Sequence, residues 1–124
     1  MGMSNFFSTG SFNLYTGDNS SFDLQILDDN GNPVNLTGYE LYFSVKRNPI
    51  LPDSQATIYL TQTTHSNAVN GQSSFPITPT ETGGAIPGKY FFDVKSKDTS
   101  GNITTLYNDT LFIISSITTI VTGR

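Results

Sequence analysis

Tyr39-Glu-Leu-Tyr-Phe-Ser-Val-Lys46 alternates apolar and polar side chains with a period of two. In an extended chain that period puts Leu41, Phe43 and Val45 on one face and Glu40, Ser44 and Lys46 on the other. The segment reads as a half-buried strand, and its neighbours follow the same rule. Phe22-Asp-Leu-Gln-Ile26 turns its apolar residues one way and Asp23 and Gln25 the other. Ala56-Thr-Ile-Tyr-Leu60 and Tyr90-Phe-Phe-Asp-Val-Lys-Ser96 repeat the alternation. Ser73-Ser-Phe-Pro-Ile77 is a weaker strand, because Pro76 has no N–H for a ladder and belongs at a sheet edge. Asp28-Asp-Asn-Gly-Asn-Pro33 and Asp98-Thr-Ser-Gly-Asn102 supply turn chemistry between strands. Strands are therefore expected near 10–15, 21–28, 38–46, 56–62, 72–77, 88–97 and 102–114, with a last one near 117–122. No long window carries a 3.6-residue apolar stripe, so helix should be negligible. Roughly seven or eight short strands, each with one apolar face, need two sheets packed face to face, or a barrel.

The chain has 124 residues, which predicts one domain over 1–124, with terminal segments of about 1–9 and 115–124 that interact with something beyond it. It has no cysteine, which excludes disulfide scaffolds, Cys-based zinc sites and thiol catalysis. Ser, Thr and Asn make up about a third of the residues, while only 13% are charged. A net charge of −4 has the wrong sign for a nucleic-acid or anionic-membrane binder, so neither partner is expected. The N-terminus lacks a basic segment followed by an apolar core, which predicts no secretory signal. A myristoylation start would need Ser or Thr where Phe6 stands.

Little in the sequence suggests catalysis. His65 is the one histidine and lies in a polar stretch, Thr63-Thr-His-Ser-Asn-Ala-Val-Asn-Gly71, which reads as a solvent-exposed loop. No nucleophile motif accompanies it. Asp28-x-Asn30-x-Asn32 begins like a calcium loop, but Pro33 and Tyr39 occupy the positions that need Gly and Glu, leaving a plain turn with Asn30-Gly31 at its tightest point. The acidic residues fall in turns or on outward strand positions such as Asp23, Glu40 and Asp93, a poor arrangement for a paired-carboxylate site. Lys95 and Lys97 would sit near Lys46 and Arg47 if their strands pair, making a small basic spot, with a solvated face as the default. No catalytic, cofactor-binding or metal-binding residue is expected, no cofactor is implied, and the protein is expected not to be an enzyme.

Apolar residues exceed what one core requires. Leu111-Phe-Ile-Ile114 is apolar on both faces, and Ile117, Ile120 and Val121 extend that character, while Phe6 and Phe7 add two rings at the other end. A strand buried on both sides needs a cover, either the terminal segments folded back over it or a partner. Phe6, Phe7, Leu111, Ile113, Ile117, Ile120 and Val121 are thus the interface candidates, with Tyr42, Tyr59 and Phe91 as aromatics on outer strand faces.

The order of turns and strand faces resembles a known family. Asp28-Asp-Asn-Gly-Asn-Pro-Val-Asn-Leu-Thr-Gly-Tyr-Glu-Leu-Tyr-Phe-Ser-Val-Lys46 is similar to the opening of the immunoglobulin-like domain at the N-terminus of phage baseplate upper proteins. Ile86-Pro-Gly-Lys-Tyr-Phe-Phe-Asp-Val94, the Asp98 to Leu106 turn and the closing strand at 110–114 continue the likeness, which spans roughly residues 11–118. The resemblance implies a two-sheet immunoglobulin-like β-sandwich of mainly antiparallel strands, acting as a non-enzymatic structural or adaptor protein of a tailed-phage virion. Neck, tail, baseplate and capsid-surface positions all suit such a module. Its expected partners are other virion structural proteins, in a homo-oligomer or multi-copy assembly, and its location the virion after synthesis in the host cytoplasm. The rival expectation is a glycan-binding receptor-recognition or surface-adhesion module that uses exposed Tyr and Phe with Asn and Asp.

Overall fold

The computed structural model of the chain describes residues 3–6 and 12–114. In chain order its strands are β1 (Met3–Phe6), β2 (Phe12–Tyr15), β3 (Ser20–Asp28), β4 (Glu40–Lys46), β5 (Ile58–Gln62), β6 (Gln72–Ile77), β7 (Gly88–Lys97) and β8 (Ile103–Ile114). A four-residue helix, α1 (Pro79–Thr82), joins β6 to β7. One sheet has the order β1-β3-β6 and the other β2-β8-β7-β4-β5. Every pairing is antiparallel except that of β2 with β8, which is parallel. The protein is an all-β, immunoglobulin-like sandwich. Seven expected strands are present with boundaries shifted by two residues at most, β1 is additional, and the segment near 117–122 lies outside the described residues.

Alternation builds the core as the sequence dictates. Leu41, Phe43 and Val45 of β4 and Tyr90, Phe92 and Val94 of β7 are buried against Phe22, Leu24 and Ile26 of β3 and Phe75 and Ile77 of β6. Phe43 is the hub, with its ring centroid 5.0 Å from Phe22, 5.5 Å from Phe75 and 5.6 Å from Phe92. Pro76 lies on β6, an edge strand, where its missing N–H costs no ladder bond. On β8 the register slips between Val94 and Lys95, which pair with Tyr107 and Thr105. The extra residue, Leu106, rotates into the core and is 5% exposed, although strict alternation from Leu111 would turn it outward.

Two turns share one design. In Asp28–Asn32 and in Asp98–Asn102 the first carbonyl accepts the N–H of Gly31 or Gly101 at 3.0 Å, and the first N–H donates to the carbonyl of Asn32 or Asn102. Each glycine has a φ above +80°, and among the described residues no non-glycine has positive φ. The tight point is thus a type I turn closed by a glycine bulge, rather than the two-residue mirror-image turn that Asn-Gly favours. In each turn the Asp carboxylate accepts two downstream backbone N–H groups at 2.9 to 3.0 Å. The Asp28 oxygen that begins like a calcium ligand is occupied by the chain itself.

At one end of the sandwich the Tyr90 hydroxyl donates to the Ile86 carbonyl at 2.6 Å, and the Arg47 guanidinium lies 5.1 Å above the Tyr90 ring. A tyrosine early in a strand that bonds back to the preceding corner is a recurrent device of immunoglobulin-like sandwiches.

Candidate functional site

Residues that β4, β7 and β8 turn away from the core meet on the outer face of the five-stranded sheet. Register fixes the rows. Tyr59, Ser44, Asp93 and Asn108 stand side by side across β5, β4, β7 and β8, and Lys46, Phe91 and Thr110 form the next row. Directly opposed side chains lie about 5 Å apart, so each row acts as one surface. Lys46 then reaches sideways, donating to the Leu51 carbonyl at 2.7 Å and to Asp53 Oδ1 at 2.9 Å. These two bonds anchor the segment after β4 as a wall, with Pro49 on the rim. The result is a cleft of about 440 Å³.

The floor of the cleft is unusual for an outer sheet face. Ser44 is only 7% exposed, and among the described residues its Oγ is the one buried side-chain polar atom without a hydrogen-bond partner. Beside it, burial raises the Asp93 pKa above the ordinary carboxylate range, against the opposing pull of Lys95 and Lys46. Asp109 borders the same cleft, but Tyr107 Oη and the Thr110 N–H hold its carboxylate at 2.9 and 2.8 Å. Tyr42 and Tyr59 stack beyond Ser44 with centroids 6.4 Å apart.

The interface candidates separate. Leu111 and Ile113 are 0% and 1% exposed and belong to the core, so neither is available to a partner. The outward face of the same strand carries Phe112, 42% exposed, and half-buried Ile114. Tyr15 of β2, opposite Ile114, is 45% exposed and completes an apolar strip. Phe6 ends β1 opposite Gln25. Phe7, Ile117, Ile120 and Val121 lie outside the described residues.

Two other expectations need correction. His65 is half-buried, with Nε2 2.9 Å from the Tyr39 carbonyl and Nδ1 2.9 Å from Ser73 Oγ. A carbonyl only accepts, so Nε2 carries the proton and, in the neutral ring, Nδ1 accepts from the serine. The ring is a cross-link between loop and sheet, not a solvated side chain. The basic spot also fails to form, because Lys95 stands opposite Tyr42 and Lys97 opposite Glu40, while Lys46 engages Asp53 and Arg47 covers Tyr90.

No protein-family model matches the chain, and no curated protein matches it. Among solved structures, the N-terminal domain of phage TP901-1 ORF48 is similar over 86% of this chain and 84% of that one, at 15% identity and a TM-score of 0.51. A soluble domain of PmoD from Methylocystis sp. is similar over 90% and 88%, at 14% identity and a TM-score of 0.48. A mutant of the SrpA adhesin from Streptococcus sanguinis is similar over 92% of this chain and 58% of that one, at 13% identity and a TM-score of 0.42. At these identities the likeness to the phage domain is one of fold, and the other two are weaker.

Proposed function

We propose that the protein is a non-enzymatic docking module of a tailed-phage virion that works by protein–protein contact. The observation that carries this reading is the outer apolar strip of Tyr15, Phe112 and Ile114, on a strand whose other face already fills the core. Two half-exposed aromatic side chains beside a partly covered isoleucine form the kind of small anchor that interfaces bury. The strip ends at Ile114, the last described residue. The fold likeness to a phage N-terminal domain and the motif resemblance over residues 11–118 support the virion setting.

The test is particle incorporation. Phe112→Ser combined with Tyr15→Ser should leave the β-rich circular dichroism spectrum intact while the protein disappears from purified particles, as followed by immunogold labelling. Removal of residues 117–124 should act in the same direction, whereas removal of 1–9 would also take away β1, a strand of the smaller sheet. Wild-type particles that carry no label would overturn the virion setting, and normal incorporation of the double variant would move the docking surface elsewhere.

A further inference from the structure

We propose that the outer-face cleft floored by Ser44, Asp93 and Asn108 binds a neutral saccharide unit, using Phe91 as an apolar platform for the sugar ring. The site is separate from the apolar strip and adds a ligand to the docking reading.

The first support is the Ser44 hydroxyl. A buried donor left without a partner costs about 1–3 kcal/mol, so natural structures rarely keep one without a use. Alanine would fill the same space without that cost. The hydroxyl points to a bound group that satisfies it.

The second support is the company it keeps. Asp93 and Asn108 share its row, giving in sequence along the sheet a hydroxyl, a carboxylate and an amide. A carboxylate accepts from two vicinal hydroxyls, an amide both donates and accepts, and a serine hydroxyl does either. That set matches a polyol, whose every hydroxyl is donor and acceptor at once. Phe91 in the next row offers an apolar surface to the C–H face of a pyranose. The Lys89 ammonium lies over the Phe91 ring, 5.5 Å from its centroid, so a sugar stacks on the other face of the ring or takes the place of the lysine.

Charge selects against the other ligand classes. Around the cleft Lys46, Lys89 and Lys95 are balanced by Asp53, Asp93 and Asp109, and Lys46 is already paired with Asp53. An anion would face Asp93, and a cation would face the lysines. The volume, about 440 Å³, lies within the range of small-molecule sites, and the lining mixes Ser44, Asp93, Asn108 and Thr110 with the apolar surfaces of Pro49 and Phe91. The Lys46 bonds to Leu51 and Asp53 hold the wall in place before any ligand arrives, which lowers the ordering cost of binding.

The experiment is a titration of the full-length, isotope-labelled protein with the methyl glycosides of glucose, galactose, mannose and N-acetylglucosamine, with ethylene glycol as a control that has hydroxyls but no ring. At least one glycoside should shift the backbone amides of Ser44, Asp93, Asn108 and Phe91 saturably, at up to roughly 50 mM, enough for a millimolar site. Ser44→Ala should weaken that binding roughly tenfold while leaving the melting temperature equal or higher, and Asp93→Ala should also weaken it. The inference is overturned if no glycoside moves those amides, if ethylene glycol moves them equally, or if Ser44→Ala binds as wild type does. None of these outcomes touches Tyr15 or Phe112, so the docking reading stands or falls separately.

Discussion

A Cβ on Gly71 would stand 2.5 Å from the Ile26 carbonyl oxygen and 2.9 Å from that of Val34, at a residue whose φ is +73°. Gly71 also accepts the Ile26 N–H at 2.8 Å, so three backbone segments meet where only hydrogen fits. Gly31 has a similar φ of +84° but open space around it. Gly31→Ala should therefore cost about 1 kcal/mol of left-handed strain, whereas Gly71→Ala should cost more than about 2 kcal/mol, as urea denaturation of the two variants will show. His65→Ala removes two hydrogen bonds and strands Ser73 Oγ in a residue 2% exposed. A loss of about 1–3 kcal/mol is expected by the same measurement. The sequence shows His65 among polar neighbours, yet its partners are 26 and 8 residues away, which is why the local pattern points wrongly to solvent. Ser44 is legible only by half: alternation sends it outward, but nothing local says that it will be only 7% exposed there.

Strands with a period of two are read directly, because Phe22 to Ile26 or Tyr90 to Ser96 can bury one face in only one register. The exceptions each have a physical source. The parallel pairing of β2 with β8 joins segments roughly a hundred residues apart and leaves no local trace. The bulge at Leu106 inverts alternation halfway along β8. The short helix is too brief for an apolar stripe and is absent from the periodicity reading; its signal lies in the cap instead, where proline suits the first helical position and Glu81 accepts the Thr78 N–H and hydroxyl at 2.6 and 2.7 Å. The two Asp turns make interchangeable elements. Replacing Asn30 by the Ser found at 100 should leave stability within about 0.5 kcal/mol, because that position is exposed and the carboxylate, glycine and asparagine stay in place. A larger drop on denaturation would mean that the turns differ in more than sequence.

For the molecule as a whole, two carboxylates pull stability in opposite directions with pH. The Asn102 and Ser100 N–H groups hold the Asp98 pKa below its ordinary value, so its contribution is present above pH about 4 and fades as pH falls through the lower folded value. Burial raises that of Asp93, so its contribution is present below about pH 4 and lost as pH rises through the higher folded value. Asp93→Asn should accordingly melt above wild type at neutral pH, Asp98→Ala below it, and both gaps should narrow in acid. Melting curves across that range check the two signs together. The core that these charges surround centres on Phe43, and Phe43→Ala should cost about 3–5 kcal/mol, since three rings lose their common neighbour.

The parallel pairing of β2 with β8 also governs how the sandwich bears load. Phe12 lies beside Leu111 and Tyr15 beside Ile114, so tension that draws the chain backwards from residue 12 and forwards from residue 114 runs along both strands in opposite senses. That geometry is shear: the inter-strand hydrogen bonds must fail together, whereas pulling across the β7–β8 hairpin would open its bonds one after another. Forced unfolding is governed by the rate of barrier crossing. Single-molecule extension from residues 12 and 114 should therefore meet a higher rupture force than extension from residues 88 and 113, and the sandwich resists traction best when the load enters through β2 and leaves through β8.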